Sequence, residues 1–114
     1  MAFFGENGCA VWVRFKGTGT VSINDDFNVT SITDNGTGDY RVNFSSSLSN
    51  TSYCVLVGGQ RPDTSADPNH QSTVYGGQNS SVFQTGSVRV ITGTVTNFAM
   101  QDSPAISVAI FKRR

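Results

Sequence analysis

A chain of 114 residues with eight basic and eight acidic side chains has room for one domain, and no charge imbalance to steer it toward nucleic acid or an acidic membrane. Charged residues make up only 14% of it, well under the ~25% usual for soluble domains, so Ser, Thr, Asn, Gln and Gly have to cover the surface. Two Leu, one Glu and two Lys stand against thirteen Val, five Ile, eight Phe and twelve Thr, which excludes a helical class and points to sheet.

Residues 1–9 read as an irregular lead-in. Met1-Ala2-Phe3-Phe4 lacks a basic segment and its apolar run is short of the ~7 residues of a secretory leader, so synthesis in a cytoplasm is expected. No stretch nears the ~18 apolar residues of a membrane-spanning helix. Residues 10–16, AVWVRFK, form the first strand, with Val11, Val13 and Phe15 on one face and Trp12, Arg14 and Lys16 on the other. Trp12 on the charged face is the anomaly. It packs on a basic stem or under a loop, or it anchors an oligomer interface.

Gly17-Thr18-Gly19 makes a turn, and Thr20 to Phe27 a second strand with Val21, Ile23 and Phe27 as core positions. Asp25-Asp26 interrupts this strand either as a bulge or as the next turn, the turn being the favoured reading; adjacent carboxylates on a strand face opposite ways and make a poor metal pair. A third strand, 29–33, leads into the strongest local signal of the chain. Asp34-Asn35-Gly36 is a hairpin turn, and Gly38 adds a second permissive position suited to a longer turn with a bulge. Tyr40, Val42 and Phe44 then alternate with Arg41 and Asn43, which gives one apolar face.

After a polar connection anchored by Leu48, residues 53–57, YCVLV, read as a central strand covered on both faces, with Cys54 a buried thiol. Residues 59–81 hold two of the three prolines, the only histidine and little periodicity, apart from a short strand near Thr73 to Tyr75. Irregular segments longer than ~12–15 residues are usually functional or disordered. This one gathers Arg61, Asp63, Asp67, His70, Gln71 and Tyr75, whose aromatic and planar polar groups suit a saccharide receptor. The alternative is that the loop folds onto its own domain or packs between subunits. The last third returns to strands: 87–92 with Val88 and Val90 inward, 94–100 with Thr96, Phe98 and Met100 on one face, and 105–111 with Ile106, Val108 and Ile110 opposite Ser107, Ala109 and Phe111. The sum is an all-β fold, a single antiparallel β-sandwich over 1–114 with about seven to nine short strands and little or no helix.

Chemistry-bearing motifs are missing. There is no phosphate loop, dinucleotide fingerprint or HExxH. Cys9 and Cys54 with one histidine fit no usual zinc spacing, and two cysteines made in a reducing compartment are expected to stay reduced. The aspartates mostly occupy turns. No enzyme activity, metal or cofactor is expected. Five Asn-x-Ser/Thr sequences, at Asn28, Asn35, Asn43, Asn50 and Asn79, read as polar surface given the composition.

Residues 12–44, WVRFKGTGTVSINDDFNVTSITDNGTGDYRVNF, closely resemble a module of tail fibres and other tail-associated proteins of tailed phages, especially phages of marine bacteria. The shared features are the aromatic-Val opening at Trp12, the turn Gly17 to Val21, the hairpin Ser31 to Gly36, Gly38 to Tyr40, and the strand Val42 to Phe44. The closing ISVAIFKR is similar too, and residues 59–100 carry none of it. The resemblance implies a virion structural protein at or near a fibre end, homotrimeric, assembled in the bacterial cytoplasm and in contact with other tail proteins; it covers structural turns and strands, so contact with a host receptor is expected from residues 59–81 and not from the resemblance. A purely architectural virion protein (capsid decoration or tail completion) and a non-viral carbohydrate-binding module remain the alternatives.

Overall fold

Among the described residues nine strands form where β-branched and aromatic residues alternate with polar ones: β1 Cys9–Lys16, β2 Ser22–Phe27, β3 Val29–Gly36, β4 Asp39–Phe44, β5 Cys54–Gly59, β6 His70–Val74, β7 Phe83–Gln84, β8 Ser87–Thr94 and β9 Ile106–Phe111. They are seen in a computed structural model that describes residues 9–60, 70–74, 82–94 and 100–112. Every pairing is antiparallel. One sheet has four strands in the order β2-β1-β9-β5, the other five in the order β3-β4-β8-β6 with β7 beside β6 on the same edge of β8. The sheets stack as a sandwich, and no helix occurs among the described residues.

The inward rows make the core. Val11, Val13 and Phe15 of β1 and Ile106, Val108 and Ile110 of β9 meet Tyr40, Val42 and Phe44 of β4 and Val88 and Val90 of β8, all buried. These are the faces read from the alternation in 10–16, 40–44, 87–90 and 105–111. Ile91 and Thr92 are buried as well, so β8 departs from simple alternation at its far end. Leu48 packs against the core from the connection after β4. Tyr53 closes one end, edge-on to Phe44 and Phe83, with its hydroxyl within 2.8 and 3.0 Å of the Gln84 and Ser87 carbonyls.

Tyr40 closes the other end. Its ring lies edge-on to Phe15 at 5.3 Å, and its hydroxyl lies 2.9 Å from the Gly17 carbonyl and 2.7 Å from Asp102 Oδ1. That oxygen also accepts the Gly38 amide at 2.8 Å. Gly17 leaves room for the phenol: a Cβ there would sit 2.5 Å from the tyrosine oxygen. Residues 100–105 thus form a strap. The Gln101 amide donates to the Thr92 carbonyl, and Thr92 Oγ1 donates back to the Gln101 carbonyl. The Ser103 carbonyl accepts the Gly17 amide, and Ser103 Oγ donates to the Gln60 carbonyl.

The central hairpin forms, with its turn shifted by two residues. β3 runs on to Gly36, Asn35 is bulged out of the ladder, and Thr37-Gly38 make the turn, with φ +132° at Gly36 and +68° at Gly38. Asp34 Oδ1 accepts the Gly36 amide, which turns the backbone locally before the hairpin closes. Asp25-Asp26 is not a turn. β2 continues through it, and the register against β1 shows why: Arg14 faces Asp25 but Phe15 faces Ile23, so Asn24 is the extra residue of a bulge. The reversal comes at Asn28.

Asn28 is the sole non-glycine residue with positive φ among those described, at +62°. There the chain leaves the edge of one sheet and enters the edge of the other. Asn28 Oδ1 accepts the Ser46 amide at 2.7 Å, Nδ2 donates to the Ser46 carbonyl at 3.2 Å, and Asp26 Oδ2 accepts the Val29 amide. It is a half-buried corner residue rather than the plain polar surface expected of it. Reading 53–57 as a doubly covered central strand also fails. β5 is an edge strand with Val55 and Val57 turned inward and Cys54 and Leu56 exposed.

Two consequences are measurable. Alanine at 28 takes on left-handed strain of ~1–2 kcal/mol and loses the amide hydrogen bonds, whereas glycine loses only the bonds. Asn28→Gly should therefore keep about 1 kcal/mol more unfolding free energy than Asn28→Ala; equal losses in urea melts would show that the corner is not strained. Burial first, then Asp102, holds the Tyr40 phenol above the ordinary tyrosine value, and burial raises Tyr53. Below pH ~10 both states keep these protons; above it the unfolded chain loses them first, so stability falls as pH rises. Tyr40→Phe should cost about 1–3 kcal/mol at neutral pH and flatten the alkaline decline, because one of the two contributing phenols is gone. An unchanged alkaline slope would contradict this.

Candidate functional site

Antiparallel strands put every second side chain on the outside, and in the four-stranded sheet that outer face is unusually apolar. The register lines up Phe27, Trp12, Ala109 and Leu56 in one row across β2, β1, β9 and β5. Phe27 is 39% exposed, Leu56 58% and Phe111 44%. Trp12 is half-buried.

Between Trp12 and Leu56 lies a trough of about 390 Å³. Its floor is small, made by Ala109, Ser107 and Gly58, while Trp12, Arg14 and Leu56 stand along its sides. Two strand spacings of ~4.8 Å set its width. The adjacent row reads Asp25, Arg14, Ser107, Gly58. Arg14 and Asp25 are both exposed register partners, yet they form no ion pair with each other.

The outer face of the five-stranded sheet is polar instead. Arg41 and Arg89 lie side by side on β4 and β8. Arg89 binds Asp39 through two hydrogen bonds of 2.9 and 2.8 Å, and Arg41 donates to Ser87 Oγ. Asn43 Nδ2 donates to Ser31 and Thr33 across the strand, so this face is satisfied within the chain. No cluster of three or more His, Cys, Asp or Glu suited to a metal occurs among the described residues.

Comparison with protein-family models, with curated proteins and with solved structures gives no match. The site rests on its geometry alone.

Of the residues singled out for receptor contact, Arg61, Asp63, Asp67 and Tyr75 lie outside the described residues. His70 and Gln71 belong to strand β6, not to an irregular loop, and their backbones pair with Thr94 and Gly93. Thr96 and Phe98 also lie outside the described residues, and Met100 makes only a bridge to Gly93. Trp12 does stand on the outer face, at the centre of the apolar row. Leu56, Ala109 and Phe111 join it there. Their signal was present in the sequence as apolar residues on both faces of 53–57 and 105–111. Arg14 and Asp25 had no such signal, because their pairing depends on the bulge at Asn24.

The cysteines fall into place on the same sheet. Cys9 and Cys54 flank Phe111 from opposite sides, two strands apart. That separation, ~10 Å, exceeds the ~7 Å limit for a disulfide between Cα atoms. Cys54 is exposed rather than buried, because the outer face of β5 is open. A thiol titration of the native protein should find one fast-reacting group, Cys54, and a second, Cys9, on unfolding. Fewer than two thiols on freshly purified, denatured protein would contradict the register.

Proposed function

We propose that this chain is a virion structural module of a tailed phage, at or near the end of a tail fibre, which assembles as a homotrimer with other tail proteins and meets a host surface saccharide through residues 59–81. The observation that carries this reading is the exposed apolar row on a charge-poor sandwich: Phe27, Trp12, Ala109 and Leu56 form a face that favours a protein neighbour over solvent. The resemblance of residues 12–44 supports it. Those residues build the strap contact at Gly17, the Asn28 corner and the central hairpin, all structural features. The role so assigned is structural and adhesive, not catalytic.

A second reading is favoured by one feature of the trough. Trp12 beside Arg14 and Ser107 offers an aromatic surface next to hydrogen-bonding groups, the arrangement a sugar ring takes in a carbohydrate-binding module. The two readings separate experimentally. Mass spectrometry of purified particles should find the chain, gold-labelled antibody should mark the tail end, and light scattering should give about three times the 12.2 kDa chain mass. Absence from purified particles, with saturable binding of soluble glycans that is lost in Trp12→Ala, would replace the first reading by the second.

A further inference from the structure

We propose that the outer face of the four-stranded sheet binds a second copy of this chain, and that Arg14 of one copy pairs with Asp25 of the next. This rests on the homo-oligomer part of the reading above and names the surface and the charges that would make it. Shape is the first support. Leu56 projects from the edge strand at 58% exposure, and beside it lies a trough floored by Ala109, Ser107 and Gly58. One protruding side chain and one small-residue floor on the same face are the two halves of a self-complementary contact. A repeated copy brings both, so each Leu56 has a floor to enter.

Charge selects the occupant. The face carries Arg14 and Lys16 on β1 and Asp25 on β2, all exposed, and of these Arg14 and Asp25 stand in direct register on neighbouring strands. Within the chain Arg14 makes no ion pair among the described residues, and Asp25 Oδ1 accepts the Asp26 amide. A partner with a single-signed patch would match one of these groups and repel the other. A second copy presents Asp25 to Arg14 and Arg14 to Asp25. The match is reciprocal across a two-fold axis and sequential around a three-fold one. The polar face of the other sheet lacks this property, since Arg89 already holds Asp39 through two bonds and Arg41 bonds Ser87.

The test uses complementary charge reversals on the full chain. Arg14→Asp and Asp25→Arg each place like charges across the contact, and sedimentation should show each associating about tenfold more weakly than the wild type or worse. Mixing the two variants should restore association. One then carries acids at both positions and the other carries bases at both, so every contact between unlike chains is a matched one. Full recovery marks a two-fold arrangement and recovery of two contacts in three a three-fold one; both support the proposal. Leu56→Ser should weaken association with no change in the charge pattern. Circular dichroism of every variant guards against misfolding, which exposed positions should not cause. The proposal is overturned if the wild type stays monomeric, if the single reversals associate like the wild type, or if one chain carrying both Arg14→Asp and Asp25→Arg recovers association while the mixture of single variants does not. That last result would place the pair within one chain. Absence of the chain from purified particles, by contrast, would sink the virion reading and leave this contact standing.

Discussion

The Tyr40 hydroxyl is the constraint on which the rest of the sandwich depends. A phenol ring buried between two sheets gains apolar burial, but its oxygen has to find partners or forfeit much of that gain. Here it finds two, the Gly17 carbonyl in the β1–β2 turn of the opposite sheet and Asp102 in the connection that crosses from β8 to β9. One side chain from β4 therefore fixes the β1–β2 turn and the strap before β9 together. Glycine at 17 is needed for this, because any Cβ would occupy the space of the phenol oxygen. Asp102 completes the arrangement by also holding the Gly38 amide, so the tip of the central hairpin is tied to the same carboxylate.

The second constraint is the corner at Asn28. Two sheets built from one chain need at least one strand that leaves one layer for the other, and such crossings concentrate strain and unpaired backbone groups. Asn28 meets both needs at once. Asparagine tolerates the left-handed backbone better than most residues, and its amide caps the Ser46 backbone on both sides while Asp26 takes the Val29 amide. The edge strand β2 ends there with two aspartates and a bulge, features that discourage pairing with a foreign strand.

With the interior and the edge settled, the two outer faces diverge. The five-stranded sheet neutralises its charges inside the chain through Arg89–Asp39 and a ladder of hydroxyl and amide bonds. The four-stranded sheet leaves Leu56 and Phe111 in solvent and a cation beside an anion without joining them. A face of that kind is costly for an isolated chain and far less so for one that is covered.

The amino-acid sequence by itself determined the class of fold and most of the core. Period-two alternation puts Val11, Val13, Phe15, Tyr40, Val42, Ile106, Val108 and Ile110 on inward faces wherever the strands end up, because side-chain direction follows from the backbone pleat. It also marked Trp12 as out of place and the hairpin as tight. Tertiary structure alone decided what depends on partners distant in sequence. The Gly38 amide at the tip of the hairpin is held by Asp102, more than sixty residues on, a contact that no local pattern announces. Cys54 is exposed and Asp25 lies opposite Arg14 for the same kind of reason. Which strand sits at an edge, and where a bulge shifts the register, are set by the order in which strands pair, and local pattern carries no record of that order.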